Sequence, residues 1–101
     1  MKDTITFGKF IRQLRENKDI PLRKVAAELD IDPSTLGKIE RDKRNPNQMV
    51  IERLSRVFSV GQKELIIHFL SDRISRDLHK LEYSSEILTT ARKKINSLKK
   101  Q

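Results

Sequence analysis

The 101-residue sequence contains no cysteine and no tryptophan. Without cysteine, the chain has no disulfide bond, no thiolate metal site and no cysteine nucleophile. No apolar run exceeds three residues, as in Leu65-Ile66-Ile67, whereas a helix needs about 20 to cross a bilayer. No apolar segment follows Met1-Lys2-Asp3. We therefore expect no secretion signal, no membrane partner and a cytoplasmic location.

Glycine and proline are also scarce, with three residues of each. Most of them lie near the expected ends of helices or in loops, but Gly8 and Gly37 fall inside predicted helices. No segment of useful length alternates apolar and polar residues as a half-buried strand does. The sequence therefore predicts an all-α fold.

Residue types that carry catalysis are present but scattered. His68 and His79 are too far apart for the i, i+4 spacing of a helical metal pair, and no glycine-rich phosphate loop occurs. The acidic residues alternate with basic ones at helical spacing, which is typical of surface ion pairs. We therefore expect no enzyme, no catalytic residue, no metal and no cofactor.

Charge is abundant and unbalanced. The chain has 22 lysines and arginines against 14 aspartates and glutamates, a net charge of +8. This excess suits a polyanionic partner such as DNA, although charge alone is equally compatible with a generic basic protein.

Two short amphipathic segments stand in succession, over residues 22–29 and 33–41. In the first, Val25 and Leu29 lie one helical turn apart and share a face. Leu36 and Ile39 do the same in the second. Ala26 is small at the point where the two helices should cross. Two such helices joined by a short turn are the layout of a DNA-binding helix-turn-helix.

The turn and the second helix support this interpretation. Asp32 is a favourable N-cap, and Pro33 suits the first helical position, where its missing N–H is not needed. The exposed face of the second helix should carry small, polar and basic residues. An ordinary helical hairpin with solvated charges is the alternative. The residues of the predicted exposed face are Ser34, Thr35, Gly37, Lys38 and Arg41.

Three further helices complete the predicted DNA-binding domain, residues 1–71. The first runs from about Thr6 to Asn17, the fourth begins near Asn47, and Gly61 opens the fifth. A basic loop over residues 42–46 precedes the fourth. Their apolar residues are Phe7, Phe10, Ile11 and Leu14, then Val50, Ile51, Leu54, Val57 and Phe58, and finally Leu65, Ile66, Phe69 and Leu70.

Several short motifs occur in order along residues 5–70. They are Ile11-Arg12-Gln13-Leu14-Arg15, Val25-Ala26, Ser34-Thr35-Leu36, Ile39-Glu40-Arg41, Arg44-Asn45-Pro46 and Leu54. With them the chain resembles the Cro/phage-repressor (XRE) helix-turn-helix family. The resemblance implies a five-helix bundle that binds double-stranded operator DNA, usually as a dimer, and regulates transcription.

The resemblance also implies roles for single residues. Base contacts are expected from Pro33, Ser34, Thr35 and Lys38. Phosphate contacts are expected from Arg23, Arg41, Lys43 and Arg44, for which solvated surface charge is the alternative. A structural salt bridge is expected between Arg15 and Glu40.

Three positions depart from the family pattern. Leu22 replaces the glutamine that often holds a phosphate at the start of the second helix, so Arg23 is the expected substitute. Asp30 and Asp42 replace glycines that end helices. Aspartate accepts a left-handed backbone better than most residues, but Asp42 adds a negative charge close to the expected DNA backbone.

The C-terminal part, residues 72–101, is a predicted helical extension. Its apolar residues follow a heptad seam with a polar interruption, and we expect a break near residues 80–84. A coiled coil and a helical hairpin both fit. The extension is predicted to form a homodimer, and the alternative is that it covers the core of its own monomer. The seam residues assigned to dimerisation are Leu81, Leu88, Ala91, Ile95 and Leu98.

Two functions remain from these observations. The first is a sequence-specific DNA-binding transcriptional regulator that acts as a dimer on an inverted repeat. The second is an antitoxin-like or adaptor protein whose helical tail binds an unknown partner protein.

Overall fold

The computed structural model describes residues 5–101, and within them it contains six α-helices and no strand. The all-α prediction is therefore confirmed. The first five helices begin within one residue of their predicted starts. The helices are α1 (Phe7–Asn17), α2 (Leu22–Leu29), α3 (Pro33–Glu40), α4 (Gln48–Phe58), α5 (Gln62–Leu78) and α6 (Ser84–Lys99).

Helices α1 to α5 share one hydrophobic core, formed by the faces that the apolar spacing predicts. Leu14 and Val57 are only partly buried and pack against its edge. Leu70 is exposed, because it lies on the side of α5 that faces away from the core. The buried core residues are Phe7, Phe10, Ile11, Val25, Ala26, Leu29, Leu36, Ile39, Val50, Ile51, Leu54, Phe58, Leu65 and Phe69.

Four helices end at a non-glycine residue in the left-handed conformation. Asp30 has φ 56° after α2 and Asp42 has φ 60° after α3, as expected from the replacement of glycine at both positions. Asp19 after α1 and Ser59 after α4 also have a left-handed backbone. A left-handed residue turns the chain so that later amides reach the last helical carbonyls. Four helices therefore end at a left-handed residue that is not a glycine.

The N-terminus of α1 is held by residues from three other parts of the chain. The amides at the start of a helix have no partner within it and need other acceptors. The first three helical residues each have one: Phe7 N donates to Asp72 Oδ2 (3.2 Å), Gly8 N to Asp42 Oδ1 (3.0 Å) and Lys9 N to Thr6 Oγ1 (3.1 Å). Phe10 N then makes the first regular helical bond, to the Thr6 carbonyl (2.9 Å).

Helix α6 stands apart from this bundle. Residues 79–83 separate it from α5, in agreement with the predicted break. Helix α5 itself runs unbroken across residues 71 and 72. No residue of α6 is buried, so α6 does not cover the core of its own monomer. Among residues 5–101, no helix is both long and apolar enough to cross a membrane.

Candidate nucleic-acid interface

Helix α3 has one face in the core and one in solvent. Leu36 and Ile39 are buried against α1 and α2. Ser34, Lys38 and Arg41 are exposed, and their i, i+4, i+7 spacing aligns them along one side of the helix. Pro33 is also exposed and Thr35 partly so, at the N-terminal end. The structure thus brings the predicted base-contacting residues together on one accessible surface.

Gly37 does not belong to that surface, which corrects the sequence-based prediction. It is buried, because the Arg41 side chain lies back over it. A Cβ atom at this position would lie 3.2 Å from Arg41 Nη1 and 3.9 Å from Leu22 Cδ2. The small residue therefore gives the Arg41 guanidinium room to lie along α3.

The turn between α2 and α3 differs from expectation in one detail. Asp32 occupies the N-cap position with an extended backbone, and Pro33 follows in the first turn, as predicted. The Asp32 side chain accepts no capping hydrogen bond. Backbone geometry alone therefore starts α3, and the Asp32 carboxylate is exposed beside the expected DNA surface.

Arg15 and Glu40 form a two-point ion pair between α1 and the end of α3. Arg15 Nε donates to Glu40 Oε2 at 2.7 Å, and Arg15 Nη2 donates to Oε1 at 2.9 Å. Only 5% of the Glu40 side chain is exposed. The hydrogen bond to Glu40 is the main cause that raises the pKa of the Arg15 guanidinium, against the opposing effect of burial. This pair fixes the C-terminal end of α3 to the bundle.

Arg53 of α4 holds the turn between α2 and α3. Its Nη1 donates to the Leu29 carbonyl at 2.9 Å and lies 3.8 Å from Asp30 Oδ2. A cation near the last carbonyls of a helix also interacts favourably with the helix dipole. Sequence reasoning missed this contact, because Arg53 is only a polar position of α4 in the pattern and lies 24 residues from Leu29.

The predicted phosphate-binding cations lie at the ends of the α2–α3 unit. Arg23 is exposed in the first turn of α2, and Lys43 and Arg44 are exposed in the loop after α3. Arg44 lines an open groove together with Thr35 and the turn residues. The structure therefore leaves these three cations accessible at the start of α2 and after the end of α3, and their phosphate contacts stay a prediction.

Asp42 has its carboxylate at the N-terminus of α1. Its Oδ1 accepts the hydrogen bond from Gly8 N at the start of α1. A negative charge near a helix N-terminus is favourable because of the helix dipole. The carboxylate that replaces the usual glycine is thus used inside the protein, next to α1.

Neither histidine belongs to a metal site within the described residues, where no group of three potential ligands occurs. The His68 ring stacks on Phe10 with centroids 4.9 Å apart, and its Nε2 is buried without a hydrogen-bond partner. His79 lies at the C-terminal end of α5, where its Nδ1 is 3.0 Å from the Arg76 carbonyl.

Comparisons with known proteins agree with this architecture. The helix-turn-helix family model matches residues 11–61, which is half of the chain and includes α2 and α3. Over 64 residues the chain is 27% identical to YvzC of Bacillus subtilis (strain 168), described as an uncharacterized HTH-type transcriptional regulator. That match covers 63% of this chain and 83% of YvzC. No solved structure matches the chain.

The family match and the geometry identify the same segment as the helix-turn-helix. The matched segment contains the α2–α3 turn, the exposed polar face of α3 and both residues of the Arg15–Glu40 ion pair. The chain belongs to the Cro/phage-repressor (XRE) family of helix-turn-helix DNA-binding regulators.

Proposed function

We propose that this protein is a sequence-specific transcriptional regulator that reads an operator through the exposed face of α3. The observation that carries the proposal is the alignment of Ser34, Lys38 and Arg41 on the accessible side of a helix whose other side is fixed in the core. A helix of this kind fits the DNA major groove, where each base pair shows a distinct pattern of donors and acceptors.

The predicted base-contacting residues of α3 have different reading capacities. Lys38 donates to guanine O6 and N7, whereas Ser34 either donates or accepts. Pro33 has no side-chain polar atom, so its contact is apolar, as with a thymine methyl group. Thr35 is partly buried, and its remaining exposed surface faces the groove shared with Arg44.

The flanking cations supply affinity and position. Contacts to phosphate carry no sequence information, but they fix the register of a protein on the duplex. We assign this role to Arg23 on one side of α3 and to Lys43 and Arg44 on the other. We also assign a phosphate contact to Arg41, whose exposed side chain lies along α3 over Gly37.

We further propose that the protein acts as a homodimer on an inverted repeat. One recognition helix contacts few base pairs, and a symmetric pair doubles the contacts. Residues 72–101 supply the proposed interface, because α6 presents an apolar stripe of which, in the described structure, no residue is buried. Leu81 precedes α6 and is exposed. The proposed interface residues within α6 are Leu88, Ala91, Ile95 and Leu98, of which Ala91 is partly covered and the others are exposed.

Selection of bound duplexes from a random DNA pool, followed by sequencing, tests this function. The expected result is a two-fold symmetric sequence with half-site centres about one helical turn, ~34 Å, apart. The matched control is the double variant Ser34→Ala/Lys38→Ala, which keeps the flanking cations and should bind without enriching that sequence. Binding by the natural protein with no enriched sequence would contradict the reading role. Enrichment of a single half-site would contradict the dimer.

A further inference from the structure

Helix α5 carries a second apolar stripe that the DNA-binding bundle leaves uncovered. Ile67, Leu70 and Ile74 are 57%, 44% and 47% exposed. Their three- and four-residue spacing places them on one side of α5, away from the core residues Leu65 and Phe69. The α5 stripe, as we call it, remains exposed although the chain's own α6 is present.

Helix α6 carries the other uncovered stripe, and cations line both of its edges. Leu88, Ile95 and Leu98 are 48%, 51% and 66% exposed. By helical spacing, Arg92 and Lys99 lie along one edge of this α6 stripe, and Lys94 lies along the other. Residues 84–101 contain five lysines and arginines and one glutamate, a net charge of +4.

This charge distribution disfavours pairing between two copies of α6. Residues that flank a helix seam face the flanking residues of the partner helix. A parallel pair would place Lys94 opposite Lys99 of the other copy, and an antiparallel pair would place each basic edge against itself. Like charges at such positions are destabilising, and here they occur in both orientations.

The surroundings of the α5 stripe are electrically balanced. Residues 62–82 contain four cations and four carboxylates, so their net charge is zero. By helical spacing, Asp77 and Arg73 lie on one edge of the stripe, and the uncharged Ser71 and Ser75 lie on the other. Lys63 lies one turn before Ile67, at the N-terminal end of the stripe. A basic amphipathic helix would therefore face a mixture of charges here, whereas a second copy of α6 would present only cations along its edges.

We propose that α6 of one protomer packs against the α5 stripe of a second copy, with the same contact repeated by symmetry. This inference rests on the proposed homodimer and specifies its contact. Each of the two equivalent contacts would bury Ile67, Leu70 and Ile74 of one chain against Leu88, Ile95 and Leu98 of the other. This pair of symmetric contacts covers both the α5 stripe and the α6 stripe, whereas pairing of α6 with α6 leaves the α5 stripe exposed.

The proposed contact has a consequence for DNA recognition. Helix α5 is attached rigidly to the bundle, because Leu65 and Phe69 are buried in the same core as the helix-turn-helix. A dimer built on α5 therefore orients the two recognition helices directly. A dimer built only on α6 would connect to the bundle through residues 79–83, which are not helical.

Engineered cysteines test the contact, since the natural chain contains none. Two proteins of different tag length are mixed and mildly oxidised. One carries Ile74→Cys, and the other carries Leu88→Cys, Ile95→Cys or Leu98→Cys. A disulfide requires Cα atoms within about 7 Å. The expected product is a mixed covalent dimer for at least one pair, whereas Ser97→Cys, on the outer side of α6, should form none with Ile74→Cys.

The other products would overturn the inference. Covalent dimers formed by an α6 variant with itself, without mixed dimers, would show that α6 pairs with α6. An internal disulfide in the double variant Ile74→Cys/Ile95→Cys, with no covalent dimer, would show that α6 folds back on its own α5.

A substitution that introduces charge into the α5 stripe tests the α5 contact separately from the existence of the dimer. Light scattering should find Ile74→Glu monomeric with an unchanged helical spectrum, whereas Ser97→Glu should stay dimeric like the natural chain. A natural chain that is monomeric would contradict the proposed homodimer. A dimeric natural chain with a dimeric Ile74→Glu variant would overturn only the α5 contact.

Discussion

The backbone amide of Gly8 donates a hydrogen bond to the carboxylate of Asp42, at an N–Oδ1 distance of 3.0 Å. This bond joins the first turn of α1 to the left-handed residue that ends α3. The two backbones approach so closely that a Cβ atom at Gly8 would lie 2.4 Å from the Ile39 carbonyl oxygen and 2.7 Å from that of Glu40. The C-terminal end of the recognition helix is thus seated directly on α1.

Gly8→Ala should destabilise the protein strongly, because the new methyl group meets backbone atoms that cannot rotate away. Overpacking of this kind costs about 1–3 kcal/mol and sometimes more. The free energy of unfolding is measured in urea. Gly61→Ala is the matched control, since a Cβ at Gly61 meets nothing within 4 Å and its φ is −60°. Equal unfolding midpoints for the two variants would contradict the close approach at Gly8.

Glu40→Ala should lower the thermal midpoint markedly, because it leaves the Arg15 guanidinium in a mostly buried position without its carboxylate. Breaking a buried pair from one side costs about 3–5 kcal/mol. The control is Glu16→Ala, which removes an exposed pair with Arg12 and should cost less than about 1 kcal/mol. A thermal midpoint that does not change in Glu40→Ala would show that the pair contributes little.

Lys38→Ala should reduce discrimination between operator and random DNA. We expect a loss of about 1–3 kcal/mol on the preferred site, with relaxed preference at the contacted base pair. Lys43→Ala and Arg44→Ala serve as comparisons, since loss of a phosphate contact weakens all sequences alike and lowers the salt slope by about 1. Titrations at several salt concentrations measure both effects. If Lys38→Ala weakened specific and random DNA equally, Lys38 would be a phosphate ligand.

Removal of residues 80–101 should leave a folded, helical and monomeric domain with much weaker operator binding. The buried core is complete without α6, because all of its residues lie between Phe7 and Phe69. Light scattering on the truncated and full-length proteins decides the oligomeric state, and circular dichroism checks the fold. A truncated protein that stays dimeric would show that the interface lies in the bundle. A truncated protein that unfolds would show that residues 80–101 stabilise the monomer.

The sequence by itself determined the helices and their inward faces. Apolar spacing identified Val25 and Leu29 in α2 and Leu36 and Ile39 in α3, and all four are buried. This information is local, since residues three or four apart share a side of a helix. The left-handed ends at Asp30 and Asp42 were expected because the family resemblance has glycine at both positions and aspartate accepts this conformation better than most residues. The same conformation at Asp19 and Ser59 was not predicted.

Only the tertiary structure decided which residues support the recognition helix from a distance. Gly8 meets Asp42 across 34 residues, Arg53 reaches Leu29 across 24, and Asp72 holds the Phe7 amide across 65. No periodicity links such positions, because each contact depends on how whole helices pack. Gly37 was assigned to the wrong face for this reason: the course of the Arg41 side chain, which covers it, is set by packing and not by spacing.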